Sequence, residues 1–418
     1  MSRYHQLTTE QPASVVDLNL APNTSCVLVK KQTIEVRPTP LPILQPDGIL
    51  VKVMASGICG SDLHNYLAGG VGGRPVTEPL VMGHESSGEV IAVGEFVTTH
   101  KVGDRVAIEP GLPCRRCANC KAGRMNICLD VKYCGAPGSV GSLMRYFALP
   151  ADMAPHLPES LSWEEAGSLQ PLAIGVAIGI RADLRAHQTL AIMGCGPIGL
   201  ITAAVAHANS AKLIIGFDIN PKRCEFARKY ISPITGRPIF DRVFQVDSLP
   251  TTRKSANGAN GHDAHDENVG DVKYDAAKER AKEYLAIMNV EADGVDRVVE
   301  ASGAEDAGLL GIAIAKQGAT SVVTFTMLTP SPDLAVGLGH HQTNIFPTLA
   351  VTNKEIDVKG ITRYTSTCFP NAIDLVRRGQ VDLKQLITLV LPLTESKRAF
   401  DAVASGEEIK VIIKNQEC

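Results

Sequence analysis

Four cysteines crowd into the segment CRRCANCKAGRMNIC as Cys114, Cys117, Cys120 and Cys128. That is the number and density of sulfur ligands that a tetrahedral thiolate zinc site requires. With every position taken by sulfur, such a metal would pin a long loop and perform no chemistry. A second set is dispersed: Cys59 in GICGSDLH, and His84 with Glu85 in GHESSGEV. A thiolate, an imidazole and a carboxylate on zinc leave one coordination position for water or substrate. This is what Lewis-acid catalysis needs, since the metal polarises an alcohol oxygen, lowers its pKa and prepares the loss of hydride from the carbon. On residue type alone an alternative stands beside this one: Cys59 or His84, taken singly, reads equally well as an ordinary buried side chain.

A third pattern is GCGPIG, Gly194 to Gly199, set between an apolar strand-like run and an Ala-rich helix, with Asp218 closing the next strand. In this context the glycines allow a tight turn and close approach of the backbone to a pyrophosphate at the helix N-terminus. The carboxylate at the second strand end accepts the adenosine ribose hydroxyls. Asp218 would repel the extra phosphate of NADP, whereas Lys222 and Arg223 just beyond it would attract one; the carboxylate favours NAD. Glycines that merely pack a helix on a sheet would not account for the strand, the helix and the carboxylate together.

These residues need two frameworks. At 418 residues the chain is too long for one ordinary core, so two domains with a cleft between them are expected. Lys plus Arg (41) nearly balances Asp plus Glu (44), a formal charge of −3, which selects neither for nucleic acid nor for an anionic membrane and leaves a small neutral substrate unopposed. No segment approaches the roughly 20 apolar residues of a membrane span, and the N-terminus does not read as a secretion signal. A cytoplasmic protein is expected, in which the eleven cysteines are metal-bound or buried thiols and not disulfides. After a polar arm to about residue 25, short alternating strands with Gly and Pro turns run to about residue 150, as in a small barrel. A helix start is expected at Leu161-Ser162-Trp163-Glu164-Glu165, where a second architecture begins. From Thr189 the order becomes strand, Gly-rich turn, helix, strand, helix, the alternation of a parallel sheet. Between about Ser255 and Val272 large apolar residues are nearly absent, so a mobile polar surface insertion is expected; its HDAHDE cluster reads as a solvated loop, with no rigid frame to hold a metal. The stretch from Asp357 to Lys414 returns to mixed short elements and is expected to fold back onto the first domain.

Together, GICGSDLH, GHESSGEVIAVG, the four-cysteine loop, GCGPIG with FDINPKR, and KGITRYTSTCFP resemble, in order and from about residue 28 to 414, the zinc-containing medium-chain dehydrogenases, and within them the sorbitol and xylitol dehydrogenase branch. The resemblance implies an α/β protein: a GroES-like β-barrel catalytic domain from residues 1–171 with 358–418, and a Rossmann doubly wound parallel sheet from residues 172–357 with the polar insertion near 250–275. It implies NAD and two zincs per chain, one catalytic and one structural, and a homo-oligomer, tetramer or dimer. Cys59, His84 and Glu85 match the catalytic ligands. Ser61 and His64 match positions near the substrate hydroxyl that help relay its proton. Arg363 and Tyr364 look like the RY pair of polyol dehydrogenases, the arginine lying between cofactor and substrate. Ile198, Asp218 and Arg223 match cofactor contacts, which makes Arg223 an adenosine-side residue and strengthens NAD.

The chain departs from the pattern in places. Where the branch has Glu-Pro-Leu, with the glutamate near the zinc-bound water, this chain has Gln170-Pro171-Leu172; the amide hydrogen-bonds but takes no proton. The branch's tyrosine six residues after the zinc cysteine is Asn65, with Tyr66 one place later. Thr324-Phe325-Thr326-Met327 replaces a glycine-rich segment near the nicotinamide and is bulkier. The expected activity is NAD-dependent oxidation of a secondary alcohol, a polyol such as sorbitol, xylitol or arabinitol. The departures keep open the same chemistry on a larger alcohol or ketone, or an NAD- and zinc-binding homologue with weakened catalysis.

Overall fold

A computed structural model describes residues 18–71, 74–252, 268–290, 293–324 and 344–417. The chain divides into two compact units, Met1–Ile174 with Tyr364–Cys418, and Gly175–Arg363. Among the described residues no helix is long and apolar enough to cross a membrane.

The first unit is built on the strand Gly48–Gly57. In GILVKVMASG successive side chains point to opposite faces, so Ile49, Val51 and Val53 enter one cluster with Val90, Val106, Ile108 and Phe147, while Leu50 packs with Ala92 and Tyr146 on the other side. Gly48–Gly57 pairs antiparallel with Glu85–Val93, Tyr146–Pro150 and Lys410–Lys414. The sheet is completed by Arg105–Ile108 beyond Glu85–Val93 and by Ile387–Pro392, parallel to Lys410–Lys414. The C-terminal strand thus lies inside the first unit, and its Val411 and Ile413 pack on Leu63, Tyr66 and Phe400. A smaller sheet joins Asn23–Lys30 to Thr33–Thr39 and Leu80–Val81.

The second unit holds one six-stranded sheet. Its strands are β1 (Thr189–Met193), β2 (Leu213–Asp218), β3 (Arg242–Gln245), β4 (Val295–Glu300), β5 (Ala315–Thr324) and β6 (Asp357–Ile361), in the order β3-β2-β1-β4-β5-β6. Every pairing is parallel. This is the doubly wound order. Helices α1 (Pro197–Ala208), α2 (Pro221–Lys229), α3 (Val269–Met288) and α4 (Glu305–Ile314) supply the first four crossovers, and the helix Thr348–Asn353 lies in the fifth. The near-continuous burial of β1 and β2 is what a sheet covered on both faces requires.

Three boundaries differ from those the sequence suggests. The unit boundary expected at 357/358 falls at 363/364, because DVKGI is β6, paired from Thr320↔Asp357 to Thr324↔Ile361. As the half-exposed edge of the sheet it carries too little apolar signal to declare its membership. The boundary expected at 171/172 falls at 174/175, within the helix Leu169–Ala182. The helix start expected at Ser162 opens a separate short helix, Trp163–Ala166: the Ser162 backbone N–H donates to the Glu165 carboxylate at 3.0 Å while its hydroxyl accepts the Glu165 N–H at 3.2 Å. The polar stretch does not run to residue 272: α3 begins at Val269, where the Asn268 side chain accepts the Gly270 N–H at 2.8 Å and so fixes a start that hydropathy misses. Residues 253–267, including HDAHDE, lie outside the described residues.

Candidate functional site

Register brings the dispersed set together. Gly57 pairs with Glu85, so Cys59, two residues past the end of one strand, meets His84, the residue before the other. One ligand atom from each of Cys59, His84 and Glu85 lies within 4.8 Å of the others. The sheet is held here by a hydroxyl chain, Ser56 to Ser86 at 2.6 Å and Ser86 to Ser142 at 2.7 Å. Gly57 has to be glycine: a Cβ there would come to 2.7 Å from the Gly167 carbonyl oxygen and from Lys410 Cε.

His84 is oriented from both sides. Its Nδ1 lies 3.3 Å from Asp62 Oδ1, and its Nε2 lies 3.4 Å from Ser61 Oγ. Asp62 also accepts the Cys59 N–H at 3.1 Å and the Gly83 N–H at 3.2 Å. One carboxylate therefore sets the backbone of Cys59 and of Gly83 beside His84, and the tautomer of the imidazole, leaving Nε2 as the metal-facing atom. Burial works against charge on His84, but the Asp62 and Cys59 charges outweigh it and hold the imidazole well above its usual range. Burial also opposes charge on Asp62, and the attraction of His84 outweighs it and holds the carboxyl below its usual range. Glu85, 1 % exposed, accepts from Lys410 Nζ, which also donates to the Ile58 carbonyl at 3.1 Å. A thiol, an imidazole and a carboxylate with an oriented tautomer form a donor set that suits zinc and fills three of its four positions.

The four cysteines lie on a lobe with little structure of its own, the helix Ala118–Lys121 and the single turn Met125–Ile127, neither with a buried residue. Cys117 Sγ is 3.5 Å from Cys120 Sγ and 3.9 Å from Cys128 Sγ, and Cys114 Sγ is 4.0 Å from Cys120 Sγ. Four sulfurs around zinc at about 2.3 Å would lie roughly 3.8 Å apart. Backbone N–H groups of Cys114, Cys117 and Asp130 point at the sulfurs. Backbone amides hold the Cys117 thiol down to about 6, whereas burial pushes Cys120 up to about 12. A cation among the four sulfurs would favour their thiolate forms, as a thiolate metal site requires.

In the second unit the fingerprint divides its labour among three glycines. Gly194 adopts φ +104° at the end of β1, and a Cβ on Gly199 would run into the Gly194 carbonyl oxygen. Gly196, the residue before α1, has open space where a Cβ would stand, which leaves the helix N-terminus free for a phosphate. Ile198 is half-buried in the first turn of α1. Asp218 is buried at the end of β2, its two oxygens accepting the Cys195 N–H at 2.7 Å and the Asn220 N–H at 2.8 Å. Arg223 sits in the first turn of α2, where the Asn220 side chain accepts its N–H at 3.3 Å. Thr324, at the end of β5, donates to the Glu300 carbonyl at 2.8 Å; Thr326 lies outside the described residues.

Other expected positions meet different fates. His64 is buried in the helix Gly60–Ala68 with Asn65, whose amide donates to the Gly135 carbonyl at 3.1 Å. Tyr66 does not stand in for the missing tyrosine. One residue along a helix is a turn of about 100°, and Tyr66 points into the core, where it donates to Asp401 at 3.0 Å and packs on Phe400. Gln170 is buried and donates to Tyr133 Oη at 2.9 Å, and the Tyr133 ring lies 5.5 Å from that of His84. Arg363 has φ +54°, a strained backbone for a non-glycine residue. Sequence reasoning missed Asp62, Tyr133 and Lys410. Asp62 carried a usable signal, an acid three residues after Cys59 at a helix start. The other two carried none.

Residues 45–159 match the alcohol dehydrogenase GroES-like domain. The chain is 36 % identical over 401 residues, 95 % of its length and 99 % of the relative's, to a probable D-xylulose reductase A of Aspergillus terreus. It is 36 % identical over 394 residues, covering 94 % of this chain and 97 % of the other, to D-xylulose reductase A of Aspergillus niger. Among solved structures it resembles L-idonate 5-dehydrogenase of Escherichia coli, TM-score 0.74 at 23 % identity over 94 % of this chain and 98 % of that one, a likeness of fold. With this similarity along nearly its whole length, the chain belongs to the zinc-containing medium-chain dehydrogenases, in the branch that holds the polyol dehydrogenases.

Proposed function

We propose that this enzyme oxidises a secondary hydroxyl of a polyol, such as sorbitol, xylitol or arabinitol, with NAD as the hydride acceptor. The observation that carries the reading is the buried set Cys59, His84 and Glu85, its ligand atoms within 4.8 Å of one another beside Ser61. These three would hold a catalytic zinc, and Cys114, Cys117, Cys120 and Cys128 a structural one. When bound, zinc supplies Lewis acidity toward the substrate hydroxyl, and NAD supplies the acceptor of the hydride.

The protein's own residues do the rest. Ser61 takes the hydroxyl proton and His64 passes it on. Gln170, held by Tyr133, fixes a polar substrate atom without taking a proton. Arg363 orients substrate against cofactor. Gly194, Gly196, Ile198 and Gly199 receive the pyrophosphate, Asp218 the adenosine ribose, Arg223 the adenine side, and Thr324 and Thr326 the nicotinamide side. The fixed carboxylate of Asp218 favours NAD over NADP. Family membership supports a cytoplasmic dimer or tetramer of identical chains.

A second reading, the same chemistry on a larger alcohol or ketone, is favoured by one observation: Asn65 and Tyr66 are both spent on structural bonds. The test is NADH formation from sorbitol, xylitol, arabinitol and 2,3-butanediol. Turnover of at least one of them is expected; NADH from none of them, with zinc and NAD bound, contradicts the first reading and supports the second.

A further inference from the structure

A cavity of about 400 Å³ opens in the first unit where the four-cysteine lobe, the strand end at Glu109 and the segment after Tyr364 meet; Glu109, Arg115, Met125, Asp152, Met153 and Pro370 are among its walls. None of Cys59, Ser61, His84 or Glu85 lines it. Glu109 is 8 % exposed, and its Oε1 is wholly buried without a hydrogen-bond partner. Among the described residues no hydrogen bond or ion pair reaches its carboxylate. The guanidinium in the same wall is committed elsewhere, since Arg115 Nη2 lies 2.6 Å from Asp152 Oδ1. The Glu109 carboxylate therefore has no cation of its own in the wall whenever it is ionised.

We propose that this cavity binds a small organic ammonium ion, its nitrogen on Glu109 and its apolar body against Met125, Met153 and Pro370. A metal fits less well: among the described residues the clusters with three or more donor groups in reach of one ion are the four cysteines and Cys59–His84–Glu85, and Glu109 is in neither. A neutral ligand would leave the carboxylate uncompensated, whereas an ammonium supplies both the charge and the N–H donors it lacks. The volume is that of a small-molecule site. Burial first, then the Asp152 charge, pushes the Glu109 carboxyl up to about 7. The charged and titratable groups around it are Asp152, Arg115 and Cys120 in the wall and the buried Tyr364 beyond. A cation that holds Glu109 ionised must displace its proton.

The test is isothermal titration calorimetry of the zinc-loaded full chain with cyclohexylammonium chloride, and with cyclohexanecarboxylate as the size-matched anion. The expected result is saturable binding of one ammonium per chain, at least tenfold weaker in Glu109→Gln, nearly retained in Glu109→Asp, and no binding of the anion to the cavity. In the unmodified protein, heats measured at pH 6.5 in two buffers of different ionisation enthalpy should reveal release of a fraction of a proton on binding. Equal affinity in Glu109→Gln, absence of proton release, or no binding at millimolar ammonium would each overturn the proposal.

Discussion

The four-cysteine lobe and the Cys59–His84–Glu85 cluster face the same problem, holding sulfur and other donors a few ångströms apart, and solve it in opposite ways. The lobe places all its donors within one short segment whose helix and turn bury nothing, so little but a metal could hold it. The cluster takes its donors from the ends of two paired strands in a packed sheet and braces them with Asp62 and Lys410, so the sheet itself sets its geometry. On the proposed reading, the lobe is a metal site that makes structure and the cluster a structure that makes a metal site. Closed coordination belongs with the first and an open position with the second.

Substitutions should separate the two. Cys59→Ser should lower kcat/KM by about a thousandfold or more, since several kcal/mol of transition-state stabilisation is lost, while the thermal midpoint stays close to that of the unaltered protein. Cys117→Ser should do the reverse, costing on the order of 3–5 kcal/mol of stability in denaturant titrations and removing one metal per chain. If both substitutions act mainly on stability, the contrast between the regions fails.

Lys410→Met sharpens the comparison. It leaves Glu85 as a buried carboxylate without its cation, which should destabilise the metal-free protein by about 3 kcal/mol and the zinc-loaded protein by much less, because the metal neutralises the same group. Equal losses with and without zinc would mean that Glu85 belongs to Lys410 alone. An effect visible only as pH changes is expected beside the lobe. With the Glu109 carboxyl raised from its ordinary 4.5 to about 7, its contribution is intact below pH 4.5 and is lost as pH climbs through 7. Glu109→Gln should therefore stabilise the protein by roughly 3 kcal/mol at pH 8 and leave it nearly unchanged at pH 4.5.

What could be read from the sequence follows the same division. The lobe cysteines and GCGPIG with Asp218 are local patterns whose spacing is itself the geometry, and the strands and helices around them alternate plainly. The dispersed cluster became geometry only through the Gly57↔Glu85 pairing, which no spacing encodes. Lys410 lies 325 residues from Glu85, beyond any local signal. Tyr133 reaches Gln170 from a two-residue strand. Tyr66 looked like a displaced tyrosine, but helical rotation sends it into the core. The edge strand β6 reads from sequence as part of the first unit because an exposed edge lacks the apolar run of its neighbours.

The most direct test is the zinc content of the unaltered chain and of Cys59→Ser, each assayed in parallel for NADH formation from xylitol and sorbitol. Two zincs per chain with NADH formed, falling to one zinc and no NADH in the variant with its fold intact, is the predicted result. A single zinc in the unaltered chain, unchanged by the substitution, would contradict a catalytic metal at Cys59, His84 and Glu85.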